Sequence, residues 1–224
     1  MEPYHKNVIK FNPTPMLLLG EVRNITLSYE RILNKNQSVA VQAGYLLFPK
    51  LVDDTLLGLV EFTGRSKQGV NLAFDYRYYP WQRNRRPVPD GLYIGGYVSY
   101  YGFRFKNNFD ILKVNVDEDG AMDGRINMVN AGMMLGYQFI FWKRFSVDLI
   151  LFGPSYTMRH TDLKISGDLS KEEIGEISDE LAEKLTERFP VIAEIYSRDE
   201  LVVTGTKRKF GIGFRYSIQI GFHF

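Results

Sequence analysis

Residues 210–224 read Phe-Gly-Ile-Gly-Phe-Arg-Tyr-Ser-Ile-Gln-Ile-Gly-Phe-His-Phe. Every even position is bulky and apolar: Phe210, Ile212, Phe214, Tyr216, Ile218, Ile220, Phe222 and Phe224. The odd positions are small or polar: Gly211, Gly213, Arg215, Ser217, Gln219, Gly221 and His223. Side chains of a strand alternate between its two faces, so this run predicts a strand with one oily and one polar face. Strands of soluble domains average about 5–6 residues, and one this long would overrun a soluble core.

The pattern recurs upstream. Ile25, Leu27 and Tyr29 alternate with Thr26, Ser28 and Glu30; Val39, Val41, Ala43 and Tyr45 alternate with Ser38, Ala40, Gln42 and Gly44. Val70, Leu72, Phe74, Tyr76 and Tyr78 form a third oily stripe, and the odd positions from Val129 to Phe141 a fourth. Segments 91–105 and 144–160 are strand-like but blurred, with Asp148 marking the inward side of the second. Segment 7–19 reads as a strand that Pro13 and Pro15 leave bent, bulged or partly unpaired, because proline cannot donate to a ladder. Short turns at 34–36, 82–90 and 143–144 alternate with a brief turn near Gly20 and long links at 49–67, 106–123 and 161–203. That parity predicts one domain, 1–224: an all-β, eight-stranded antiparallel up-and-down transmembrane β-barrel, with both termini at the short-turn end.

Composition agrees. The chain has 224 residues, a net charge of +2 with scattered Lys and Arg, and a mean hydropathy of −0.20, so nothing calls for nucleic acid. No apolar run approaches the roughly 18 residues of a membrane helix, but a barrel exposes only alternate residues to lipid and escapes that test. The 16 Phe, 14 Tyr and 20 Gly suit strands, interfacial girdles and a crowded wall. The absence of cysteine excludes disulfide scaffolds, thiol catalysis and Cys-based zinc sites. Met1-Glu2-Pro3-Tyr4 has neither basic n-region nor apolar h-region, so the barrel reading carries the expectation that an export signal was removed.

The inward faces collect Glu30, Asp75, Arg77, Asp148 and Arg215, with Gln42, Asn130, Gln138, Lys209 and Gln219 beside them. A buried charge without a partner costs several kcal/mol, on the order of a whole domain's stability margin, so an ion-paired lumen is expected. An eight-stranded interior is just wide enough for side chains to fill, which favours packing over an ion path.

The insert 161–203 carries the predicted helix, about 170–189. Ser170 and Glu173 form a capping box, Pro190 ends the helix, and Ile174, Ile177, Leu181 and Leu185 share one face amid acidic residues. That stripe either covers the barrel mouth or docks on a partner. Asp117-Glu118-Asp119-Gly120 reads as a hairpin turn in an outer loop, since it lacks the remaining ligands of a calcium loop. Arg83, Arg85 and Arg86 form a small basic cluster at an inner turn.

Catalysis finds little footing. The histidines are His5, His160 and His223, and His160 alone is expected near an outer rim, flanked by Arg159, Thr161 and Asp162. His-Thr-Asp in sequence is no triad, and there is no Gly-x-Ser-x-Gly elbow, phosphate loop or His-Glu-x-x-His motif. No cofactor or metal site is expected.

The runs ITLSYERIL (25–33), 38–45, Arg77-Tyr78-Tyr79 and Gly91-Leu92-Tyr93-Ile94-Gly95-Gly96-Tyr97, with the Phe224 ending, resemble the small, uncharacterised outer-membrane β-barrel family of Bacteroidota. The resemblance spans most of 6–160 and the last strand, and matches the acidic insert least. It implies a signal-bearing barrel in the outer membrane of a Gram-negative bacterium, with no catalytic residues to carry over. Phe222 and Phe224 also resemble the C-terminal signal read by barrel assembly machinery.

These readings predict a non-enzymatic outer-membrane barrel that acts as a scaffold or accessory subunit. Its expected partners are outer-membrane lipid and lipopolysaccharide, the assembly machinery and other outer-membrane proteins. The alternatives are a lipid-modifying enzyme centred on His160, or a narrow channel. A soluble carrier of eight strands would place the oily stripes inside.

Overall fold

The computed structural model describes residues 5–19, 24–47, 55–56, 60–80, 88–113, 116–166 and 205–224. Eight antiparallel strands close into a barrel, each pairing with its sequence neighbour and the last with the first. They are β1 (Asn7–Phe11), β2 (Ile25–Ile32), β3 (Gln37–Leu46), β4 (Val60–Tyr78), β5 (Gly91–Lys113) and β6 (Val116–Phe141). β7 runs as Phe145–Phe152 and Pro154–Ser166, and β8 as Gly205–Phe214 and Ser217–His223. Following paired residues from Val8 through Glu30, Ala40, Asp75, Tyr97, Gly132 and Ser155 arrives at Gly213 on β8. Val8 itself pairs His223, ten residues away. This stagger tilts the strands, as a closed barrel requires.

Exposure follows the predicted faces. Along Arg215–Phe224 every even residue faces outward and every odd one is buried, and β2 repeats the pattern through Ile25, Leu27 and Tyr29. The blur over 144–160 has a physical cause. Leu135 pairs Phe152 while Gly136 pairs Ile150, so Leu151 is a bulged extra residue, and Leu151 and Phe152 both face out. The inward parity therefore switches from even (Ser146, Asp148, Ile150) to odd (Ser155, Thr157, Arg159).

Three expectations need correction. Segment 7–19 is a strand only to Phe11; Thr14–Leu19 forms a short helix, α1, that periodicity did not reveal. The Asn12 side chain accepts from the Thr14 amide at 3.0 Å, turning the chain, and the Thr14 hydroxyl accepts from the Ile218 amide at 2.8 Å. That hydroxyl stands in for the next backbone carbonyl β1 would have offered β8. Second, 106–123 is not a long loop: β5 and β6 continue pairing to Lys113 and Val116. Asp117–Gly120 thus lies within β6. Third, β4 reaches back to Val60 and β7 on to Ser166, so the links at 49–67 and 161–203 are shorter than expected. The helix at 170–189, with Ile174, Ile177, Leu181 and Leu185, lies outside the described residues, as do Arg83, Arg85 and Arg86.

The wall is lopsided. β1, β2 and β3 have 5, 8 and 10 residues, against 19, 23 and 26 in β4, β5 and β6. A tilted strand crosses hydrocarbon in about 9–11 residues, so β4–β8 project well past the membrane on the side opposite the termini. At the termini end, Tyr137, Phe139, Phe141, Trp142, Phe145 and Phe222 touch in succession. This is an interfacial aromatic girdle. Trp142 and Lys143 occupy the left-handed region (φ 48° and 63°), as the two central residues of a tight primed hairpin turn must.

Candidate functional site: the sealed lumen and the outer wall

Inside the barrel, six charged side chains from five strands meet. Lys10 of β1 lies 2.6 Å from Glu30 of β2 and 2.6 Å from Asp148 of β7. Arg77 of β4 contacts Asp148 at 2.5 Å and Asp75 at 3.2 Å, with Glu30 at 3.7 Å. Arg215 of β8 grips Asp75 through two nitrogens, at 2.5 and 3.3 Å. Three cations face three carboxylates, so the set is formally neutral. Neutral ligands complete it. Tyr93 donates to Asp148 at 2.8 Å, Ser38 donates to Glu30, and Gln138 accepts from Lys10 at 3.0 Å. Arg77 lies over the Tyr93 ring and Arg215 over Tyr97, at 4.7 and 4.9 Å from the ring centres.

All five residues predicted for the lumen network, Glu30, Asp75, Arg77, Asp148 and Arg215, are therefore buried in one cluster. Among the others expected inward, Asn130 bonds Ser99 and Thr157, and Gln219 donates to Ser217. The side chain of Lys209 lies outside the described set. Sequence reading missed Lys10, which bridges Glu30 and Asp148. Its signal was present, a Lys between the outward Ile9 and the residue Phe11, but the prolines just beyond obscured the strand. It also missed the tyrosines Tyr93 and Tyr97, because Tyr on both faces of β5 hid the inward set.

Toward the projecting end Leu46, Phe103 and Ile126 pack against Tyr101 and Met128, with Asn71 and Arg159 facing inward beside them. The charged cluster below and this mixed layer above are built of side chains, which is what an eight-stranded diameter allows. On the outer wall, His160 and Asp162 share the outward face of β7 with Nε2 and Oδ2 3.4 Å apart, while Thr161 lies between them in sequence. Phe222 and Phe224 both face outward at the termini end. Among the described residues no three His, Asp or Glu side chains gather as a metal-binding group.

Closure, an outward apolar belt, an ion-paired interior and an aromatic girdle together define a transmembrane β-barrel. Its even strand number, with both termini at one end, is the bacterial outer-membrane form, and the chain is a bacterial outer-membrane barrel. No protein-family model matches the chain, and no curated protein matches it. Among solved structures it is similar to a major outer membrane protein from Thermus thermophilus, at 11% identity and a TM-score of 0.41, over 97% of this chain and 98% of the other. The assignment rests on register, closure and surface pattern rather than on that likeness.

Proposed function

We propose that this barrel is a non-enzymatic scaffold or accessory subunit of an outer-membrane assembly, akin to the uncharacterised Bacteroidota barrels its strand motifs resemble. The observation that carries the reading is the mismatch between a sealed lumen and an oversized wall. The interior is occupied by a neutral ion network, while β5 and β6 continue more than twice as far as a bilayer requires. Above the short strands β1–β3, residues 205–214 of β8 pair only with β7 among the described residues, and within that set one ladder edge of the projecting wall has no partner strand. A strand edge outside hydrocarbon is a surface for other chains. The insert between β7 and β8, with the predicted stripe Ile174, Ile177, Leu181 and Leu185, springs from that same wall.

The test is purification in mild detergent from native membranes, with and without residues 170–189. The reading expects co-purifying outer-membrane proteins that are lost when the insert is shortened, with the barrel still folded. An unchanged set would count against it. Planar-bilayer recordings should give no stepwise conductance, because Lys10, Arg77 and Asp148 close the lumen; steady channel openings would restore the narrow-channel reading. The His160–Asp162 contact favours a second reading, a lipid-modifying enzyme at the rim, in which the carboxylate orients the imidazole. Unchanged lipid composition in cells carrying His160→Ala would exclude it.

A further inference from the structure

We propose that a hollow on the outer wall, centred on Gly102, binds the phosphorylated headgroup of an outer-leaflet glycolipid. The hollow measures about 330 Å³, within the range of about 300–1,000 Å³ typical of small-ligand sites. Its floor exists because Gly102 carries no side chain between Val70 of β4 and Asn127 of β6, its partners in register. One pleat toward the projecting end, Arg104 stands in register with Arg125, and both are exposed. One pleat the other way, Tyr100 stands between Leu72 and Val129, and its hydroxyl donates to Asn127 at 2.9 Å. The site therefore straddles the boundary where the apolar belt gives way to charge.

Like charges directly opposite on neighbouring strands destabilise a sheet unless an anion lies between them. Of the carboxylates nearby, Asp123 is in register with Lys106, and Asp162, in register with Arg125 on the side away from Arg104, lies 3.4 Å from His160. Arg104 has Gln68 on one side and Arg125 on the other. Two guanidinium groups across one ladder form a fork suited to the oxygens of a phosphate. Below them, Tyr100, Leu72, Val129 and Val98 offer the apolar track an acyl chain requires. The projecting end lies opposite the termini, and in barrels of this kind that is the outer leaflet, where phosphates sit on a sugar-based lipid. The inference uses the membrane orientation and is independent of any partner protein.

The test uses the full chain in mild detergent, with diphosphoryl lipid A as probe and bound lipid read by native mass spectrometry. Lipid A stripped of phosphate and inorganic phosphate serve as comparison probes. The wild type should retain diphosphoryl lipid A over the stripped form. Arg104→Gln with Arg125→Gln should lower its occupancy at least about tenfold. Gly102→Leu should do the same while keeping both arginines. A Cβ there meets the Tyr100 hydroxyl at 2.7 Å, the mobile end of a side chain, so the fold survives. Arg208→Gln, exposed on β8 beside His160, should change nothing. Equal binding by the variants, equal binding of stripped lipid, or displacement by inorganic phosphate would each overturn the site. A chain that still inserts into bilayers while failing this test loses the site but keeps its membrane assignment.

Discussion

Asp148→Ala is expected to destabilise the folded barrel by about 3–5 kcal/mol, because it strips a buried network of a carboxylate held by two cations. Asp148 receives Lys10 at 2.6 Å, Arg77 at 2.5 Å and Tyr93 at 2.8 Å, all out of contact with solvent. Removing it leaves three buried cations against two carboxylates. Urea unfolding from lipid vesicles, followed by tryptophan fluorescence, reads the change. The decisive comparison is with the double variant Lys10→Met, Asp148→Leu. It removes one charge of each sign, keeps the lumen neutral and substitutes apolar volume, so it should cost less than Asp148→Ala alone. A loss below about 1 kcal/mol for the single variant, the range of a solvated pair, would mean that water fills the lumen.

Val41→Arg is the second large effect. Val41 lies near the middle of β3 and faces outward, where hydrocarbon meets the wall. An arginine on the lipid face at mid-depth costs about 2–4 kcal/mol, falling to about 0–1 near the interfaces. Leu33→Arg, exposed beside the turn at the termini end, should therefore cost little under the same conditions. Equal costs at the two positions would remove the depth dependence that a bilayer imposes.

What could be read in the sequence was whatever a period of two encodes. The stripe from Phe210 to Phe224, and those on β2, β3, β4 and β6, set the strand count and the inward faces. They thereby bring Glu30, Asp75, Arg77, Asp148 and Arg215 together without any distances. Where the chain leaves that period, the reading failed for local reasons. The bulge at Leu151 changes parity within β7, so no single alternation fits 144–160. Pro13 and Pro15 do mark an interruption, but the helix they begin depends on Asn12 and on the Thr14–Ile218 bond, which links positions far apart in the chain. The continuation of β5 and β6 past residue 106 was hidden because Asn107, Asn108 and Asp117–Gly120 have loop-like composition. Their pairing is a property of two strands together, not of either alone. The Gly102 hollow was likewise illegible, since it needs the registers of three strands at once.

The chain has no cysteine, so single cysteines can be placed at will and tagged with nitroxide spin labels. The most direct test is a scan of positions 217–223 in reconstituted bilayers, comparing collisions with oxygen, which concentrates in lipid, and with a water-soluble nickel complex. Labels at Ile218, Ile220 and Phe222 should collide with oxygen and not with nickel, while those at Ser217, Gln219 and Gly221 should be shielded from both. If the even positions instead met the nickel complex, or were the shielded ones, the oily stripe would not be facing lipid and the membrane barrel would be wrong.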